Sequence, residues 1–264
     1  MSAARSNPDD RYGHQIAPGV HLIGPKKRAF TKGGYSRAYL FEHGHDLTLV
    51  DTGWDDDANT IVRYLDSIGR SPSEIVHIAL THAHRSHLGG LKTLASLSGA
   101  KVWCHASEAP IVEGRKKAHA VGLWPLRPFK LIPFRILSRF NIPKHVPCKV
   151  NVRLVNGDTV GPLEAFHTPG HTPGHVIFRY RHSSAFAVGD AVATWPKFGP
   201  GWPGFNLDDH EYRKSFVKLV ELKPEVVGPG HGDEPDPDKD TLALLTKIRN
   251  EPKFRNIRPT VTTE

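Results

Sequence analysis

Short apolar runs separated by turn residues and by longer amphipathic stretches set the rhythm of this chain. In the first half, residues 19–23, 38–42 and 47–50 carry the compact apolar or alternating pattern of strands. The acidic run Asp55-Asp56-Asp57 opens a predicted helix to about residue 68, with the acids as caps and dipole partners. Ser71-Pro72-Ser73-Glu74 has the spacing of a capping box. A strand over 75–80, a helix over 88–97 and a strand over 100–104 follow.

The second half repeats this grammar. Strands are predicted over 151–154, 159–160, 163–166, 176–180 and 185–188, then a helix over 208–222, a strand at 226–227 and a helix over 241–249. Strands followed by helices, twice, predict an α/β protein of two packed sheets with helices outside. Residues 113–149 break the rhythm. There Trp124, Phe129, Phe134 and Phe140 are interleaved with Pro125, Pro128, Pro133, Pro143 and Pro147. So many prolines leave room only for a short amphipathic helix over 131–140, and the segment is predicted to be an insertion or lid. Without a clear linker, residues 1–264 read as one domain.

Composition changes this picture little. A chain of 264 residues with 38% hydrophobic content is large enough to bury a substantial core. Its net charge of +8 admits an anionic partner such as nucleic acid or a membrane surface. The excess is local, however: Arg115, Lys116, Lys117, Arg127, Lys130, Arg135, Arg139, Lys144 and Lys149 face a single acid, Glu113, within that insertion. A small-molecule substrate is therefore expected, and no nucleic acid. Residues 1–13 are polar and lack the apolar core of a secretory signal, which predicts a cytoplasmic protein with Cys104 and Cys148 as reduced thiols.

The candidate chemistry lies at strand ends. Thr81-His82-Ala83-His84-Arg85-Ser86-His87 follows the 75–80 strand, and histidines at that spacing suit transition-metal ligation, the alternative being surface histidines on a solvated loop. Three further sites match the pattern: His171 within His167-Thr168-Pro169-Gly170-His171-Thr172-Pro173-Gly174-His175, Asp190 after Gly189, and His231 between Gly230 and Gly232. Asp51 likewise closes the 47–50 strand.

Taken in order, these motifs resemble the metallo-β-lactamase superfamily of metal-dependent hydrolases. The resemblance implies an αββα sandwich of two mixed β-sheets with helices on the outer faces. It also implies one or two zinc ions, with iron or manganese equally suited to such ligands. His82, His84 and His171 would hold the first ion, His87 and His231 the second, and Asp190 would bridge them. Asp51 would orient ligands by hydrogen bonds. His167 and His175 match no family position and are expected to stand apart from the metals.

This chain departs from the family pattern, His-x-His-x-Asp-His, by placing Ser86 at the aspartate position. A serine hydroxyl is a poor ligand without charge, so Ser86 joins Asp190 as a candidate catalytic position, and the second ion is expected to bind weakly. Reduced occupancy with activity retained is the favoured outcome; a one-ion enzyme and a catalytically weak protein are the others.

Such a site implies that bound water, its pKa lowered from about 15.7 to about 7, attacks a polarised carbonyl. Trp195, Phe198 and Trp202, on the stiff loop after Asp190, would wall an apolar pocket or simply pack that loop down. Arg85 would orient its own loop, meet an anionic substrate or face solvent. The tract from His171 to His175 resembles those of lactonases and thioesterase-like glyoxalase enzymes, which puts an ester, lactone or thioester first, with a β-lactam as a main or side substrate. The alternatives are a phosphodiesterase or ribonuclease of the same superfamily and a pseudoenzyme that binds a ligand or a membrane surface.

Overall fold

The computed structural model describes residues 12–24, 36–119, 132–133, 136, 144–194, 198–201, 205–232 and 239–259. Seven strands form the first sheet in sequence order: β1 (Gly13–Ala17), β2 (Val20–Ile23), β3 (Ala38–His43), β4 (Asp46–Val50), β5 (Ile75–Ala79), β6 (Lys101–His105) and β7 (Val152–Leu154). The second sheet begins with β8 (Thr159–Val160), β9 (Leu163–His167), β10 (Val176–Tyr180) and β11 (Ala185–Gly189). A ribbon of β12 (Val192–Ala193) and β13 (Gly199–Pro200) then intervenes, and β14 (Val226–Pro229) completes the order β14-β11-β10-β9-β8. Both sheets are mixed: β4 to β7 pair in parallel, as do β11 and β14, and the other pairs are antiparallel.

Strands that are apolar on both faces must be covered on both faces, and three buried clusters do this. Between the sheets, Val20, Leu22, Tyr39, Phe41 and Val50 of the first pack against Val160, Leu163, Ala165, Val176 and Phe178 of the second. Alternate residues point the other way. Leu40, Leu47 and Leu49 meet helices α1 (Asn59–Ser67) and α3 (Leu91–Ser98) through Ile61, Leu65, Leu91 and Leu94, while Ile177, Phe186 and Val188 pack against helices from the second half. The short helices α2 (Arg85–Leu88) and α4 (Ala109–Val112) also lie on the first side; α5 (Asp209–Glu221) and α6 (Thr241–Arg249) cover the second through Phe216, Val217, Leu219, Leu245 and Ile248. The result is the αββα sandwich. Each fully buried large side chain such as Phe41 or Phe178 adds about 1.5–3 kcal/mol of apolar stabilisation.

The structure departs from the sequence expectations in four places. β1 was not anticipated, because Gly13-His14-Gln15 shows no apolar alternation; it is an edge strand held by pairing with β2. The ribbon of β12 and β13 occupies part of what reads as an irregular aromatic loop. α1 starts only at Asn59, behind Ala58 in the left-handed region at φ 56°, so the aspartates form the turn before it. Asp57 still accepts from the Asn59 amide at 3.0 Å and Asp55 from the Thr60 hydroxyl at 3.1 Å. Finally, the expected 88–97 helix is split at Gly89-Gly90, because a side chain at Gly89 would overlap the Trp54 carbonyl.

Of the 131–140 helix, only Ile132, Pro133 and Ile136 are among the described residues. Most of the basic aromatic segment likewise lies outside them. Cys104 and Cys148 are buried and free. Among the described residues, no helix is long and apolar enough to cross a membrane.

Candidate metal centre

All the predicted ligands lie just beyond the carboxyl ends of strands, at one edge of the sandwich. Asp51 follows β4, His82 to His87 follow β5, His171 follows β9, Asp190 follows β11 and His231 follows β14. The loops at those strand ends carry these side chains together.

Two groups result. His82, His84, His171 and Asp190 offer four ligand atoms within 4.8 Å of one another, and His87, Asp190 and His231 offer three. In the first group His82 Nε2 stands 2.9 Å from His84 Nδ1, which stands 3.1 Å from His171 Nε2. In the second, His87 Nε2 is 3.2 Å from His231 Nε2. Asp190 spans both: Oδ2 lies 3.2 Å from His171 Nε2, and Oδ1 lies 3.5 Å from His87 Nε2 and 3.8 Å from His231 Nε2. The buried Asp190 Oδ1 has no hydrogen-bond partner among the described residues.

The hydrogen bonds around the rings settle which nitrogens face inward. Asp51, 2% exposed with φ 60°, accepts from the Thr81 amide through Oδ1, and from the Thr81 hydroxyl and His87 Nδ1 through Oδ2, each at 2.8 Å. With its one proton given to Asp51, Thr81 Oγ1 accepts from His82 Nδ1 at 3.0 Å. His171 Nδ1 donates to Asn206 Oδ1 at 3.3 Å. His82 and His171 therefore turn unprotonated Nε2 atoms toward the centre, and His87, with Nδ1 on Asp51, turns its Nε2 there too. Nitrogens this close repel unless a proton or a cation lies between them, and with the Asp190 carboxylate beside them the donor set fits a divalent metal ion.

Electrostatics agree with a cation-seeking site. Burial holds His82 and His84 well below the usual imidazole range, and pushes His231 down to about 4, so these rings are neutral ligands. Burial also opposes charge on His87, but the Asp51 and Asp190 carboxylates overcome it and raise the ring to about 10. The same carboxylates that favour a proton there favour a metal ion.

Ser86 lies in α2, 9% exposed, and brings no carboxylate to the second group; its carbonyl accepts from the Ser36 hydroxyl. The second group is consequently one ligand short of the first. Arg85 does not face solvent or the ligand groups. It is 6% exposed, donates to Trp54 O at 2.7 Å and to Asp56, and lies 5.0 Å from the Trp54 ring centroid, so it clamps the loop after Asp51.

The outer histidines belong to neither ligand group, and each has another role. His175 is fully buried: burial takes its pKa down to about 3, so Nε2 can accept from the Asp190 amide at 3.2 Å while Nδ1 donates to Thr168 Oγ1 at 2.9 Å. His167 donates to Pro173 O at 2.9 Å and stacks on His105, ring centroids 4.2 Å apart.

Beside the two groups is a cleft lined by Val192, Ala193 and Gly201 together with His171, Asp190 and His231. Phe198 does not line it. It packs against the outer core of the second sheet, so its ring helps to hold the loop down. Trp195 and Trp202 lie outside the described residues. Sequence reasoning missed Val192, Ala193 and Gly201, which carry no chemical signature, and Glu108, a buried carboxylate in an otherwise ordinary stretch.

Comparison with known proteins agrees with this geometry. The profile of a family described as the metallo-beta-lactamase superfamily matches residues 31–231. The uncharacterized protein YobT of Bacillus subtilis is 30% identical over 74% of this chain and 82% of its own length. The thioesterase pkgB of Emericella nidulans is 27% identical over 85% of this chain, which spans 53% of it. Among solved structures, TTHA1623 in a di-iron-bound form is 26% identical with a TM-score of 0.60, covering 84% of this chain and 98% of that one.

Proposed function

This chain belongs to the metallo-β-lactamase superfamily and is a hydrolase of it, and from that premise we propose that it cleaves a small acyl substrate, a thioester, ester or lactone. One observation carries the reading: three imidazole nitrogens and a carboxylate oxygen converge from three loops, and the same carboxylate reaches a second group. His82, His84, His171 and Asp190 would hold the first ion, and His87, His231 and Asp190 the second. Zinc suits this donor set, and iron is a second choice because TTHA1623 was solved with two irons.

A divalent ion there supplies Lewis acidity and lowers the pKa of water to about 7. The protein's own residues do the rest. With an ion held by these histidines and Asp190, the attacking group would be water and no protein nucleophile is needed. Asp51 holds His87 directly, and His82 through Thr81, in the tautomers that ligation requires. Val192, Ala193 and Gly201 give the space beside His171, Asp190 and His231 a small apolar side. The thioesterase name of one relative and the tract from His171 to His175 support a thioester in particular.

The test is metal content per chain alongside turnover of p-nitrophenyl esters, an acyl thioester, an acyl lactone, a β-lactam and bis(p-nitrophenyl) phosphate. Metal-dependent turnover of the carbonyl compounds, the thioester above all, is the expected result. Turnover of the phosphodiester alone would shift the reading to a nuclease, and no turnover after metal loading would sink it.

A further inference from the structure

A buried carboxylate outside both ligand groups ties together the two loops that carry the first one. Glu108 stands at the N-terminus of α4 and is 1% exposed. Its Oε2 accepts from the amide of Ala83, the residue between His82 and His84, at 3.0 Å. Its Oε1 accepts from the amide of Gly174, in the turn that follows His171, at 2.9 Å. One oxygen therefore serves each ligand-bearing loop, and the loops come from different sheets.

The fit around Gly174 is close. A Cβ there would stand 2.7 Å from Glu108 Cγ, 2.8 Å from His105 Nδ1 and 2.9 Å from Glu108 Oε1. His105 in turn stacks on His167, at the start of the same loop, with 9° between the ring planes. The corner between β6 and α4 thus grips the 167–175 loop by a hydrogen bond and by a ring stack. The loops also meet through the Val176 amide and Thr81 carbonyl at 2.8 Å, where both leave their strands. Glu108 adds the tie inside the ligand-bearing turns.

We propose that Glu108 is a positioning residue for the first ion: it fixes the separation of His82 and His84 from His171, and so sets the affinity of the ion they share. This rests on the metal centre proposed above. Ligand atoms must be placed to within a few tenths of an ångström, and partners one step removed from a metal typically change its affinity about ten- to a hundredfold. Glu108 bonds to the loops of the first group and not to His87, Asp190 or His231, so the effect falls chiefly on the first ion, with Asp190 the one ligand common to both.

The test is an equilibrium titration of the full apo-chain with Co2+ and Zn2+ against a competing chelator, read also through the Co2+ absorption spectrum. Glu108→Gln keeps the size of the side chain but turns an amide donor toward one of the two backbone donors. It is expected to weaken the tighter ion about ten- to a hundredfold and to alter its Co2+ spectrum, while the weaker ion changes far less. Gly174→Ala displaces the carboxylate from the opposite side, should act in the same direction, and stands alone if Glu108→Gln does not fold. Phe254→Leu, in the outer core of the second sheet, lowers the unfolding midpoint without moving the affinity and so separates positioning from general stability. Folded variants that bind the tighter ion as wild type does would overturn the role of Glu108. A wild type that binds no ion would overturn the metal centre itself.

Discussion

At the scale of single residues, Asp51 and Ser86 show two ways in which a side chain outside the ligand set shapes that set. Asp51 gives its carboxylate to Thr81 and His87 and so orients the rings of His82 and His87 toward the ligand groups. Ser86 shapes the site by what it lacks, leaving the second group with three ligands where the first has four. Restoring charge at that position should raise occupancy. Ser86→Asp is expected to bring the metal content after dialysis closer to two ions per chain, measured by elemental analysis, and an unchanged content would count against the assignment of the second site. These residues were legible in the sequence because ligands have a narrow chemistry and sit in short motifs. Glu108 was not, since a lone glutamate after Ala106-Ser107 looks like any surface acid until folding buries it beneath two loops.

Elements were legible where both faces of a strand are apolar, as in β3, β4, β10 and β11, whose alternate residues enter different cores. Pattern reading failed where pairing or tertiary contact decides. β1 exists because β2 offers it an edge. The turn at Gly89-Gly90 exists because the Asp51 loop passes directly against it, Gly89 N donating to Gly53 O at 2.8 Å and Gly90 N to Thr52 O at 3.3 Å. That close approach predicts intolerance of any side chain. Gly89→Ala should cost about 1–3 kcal/mol in urea unfolding, by forcing the Trp54 carbonyl away. Lost metal affinity should accompany it, because Thr52, which donates to His87 O at 2.8 Å, moves with the same loop.

For the whole molecule, burial of histidines makes stability depend on pH. His105 is taken from its ordinary 6.5 down to about 4, by burial first and then by the nearby charge of His167. Between these values the unfolded chain binds more protons than the folded one, so this residue's effect is absent above 6.5 and erodes stability as pH falls toward 4. His105→Phe keeps a ring to stack on His167 and removes the titration. The fall in urea midpoint between about pH 7 and about pH 4 should be shallower in this variant than in wild type. The αββα architecture itself followed from the repeated strands-then-helices order. The path of the insertion did not, because so many prolines erase the periodicity on which such reading depends.

The seam between the sheets gives the centre a second consequence. His84 and His171 are 87 residues apart in the chain, and His87 and His231 are 144 apart. Contacts that distant form late, after the entropy of closing long loops has been overcome. An ion bound there would act as a rivet through both halves, set only once they have docked. Metal selection would then be made by the finished fold and not by the nascent chain, and stripping the ion should loosen the seam before either sheet.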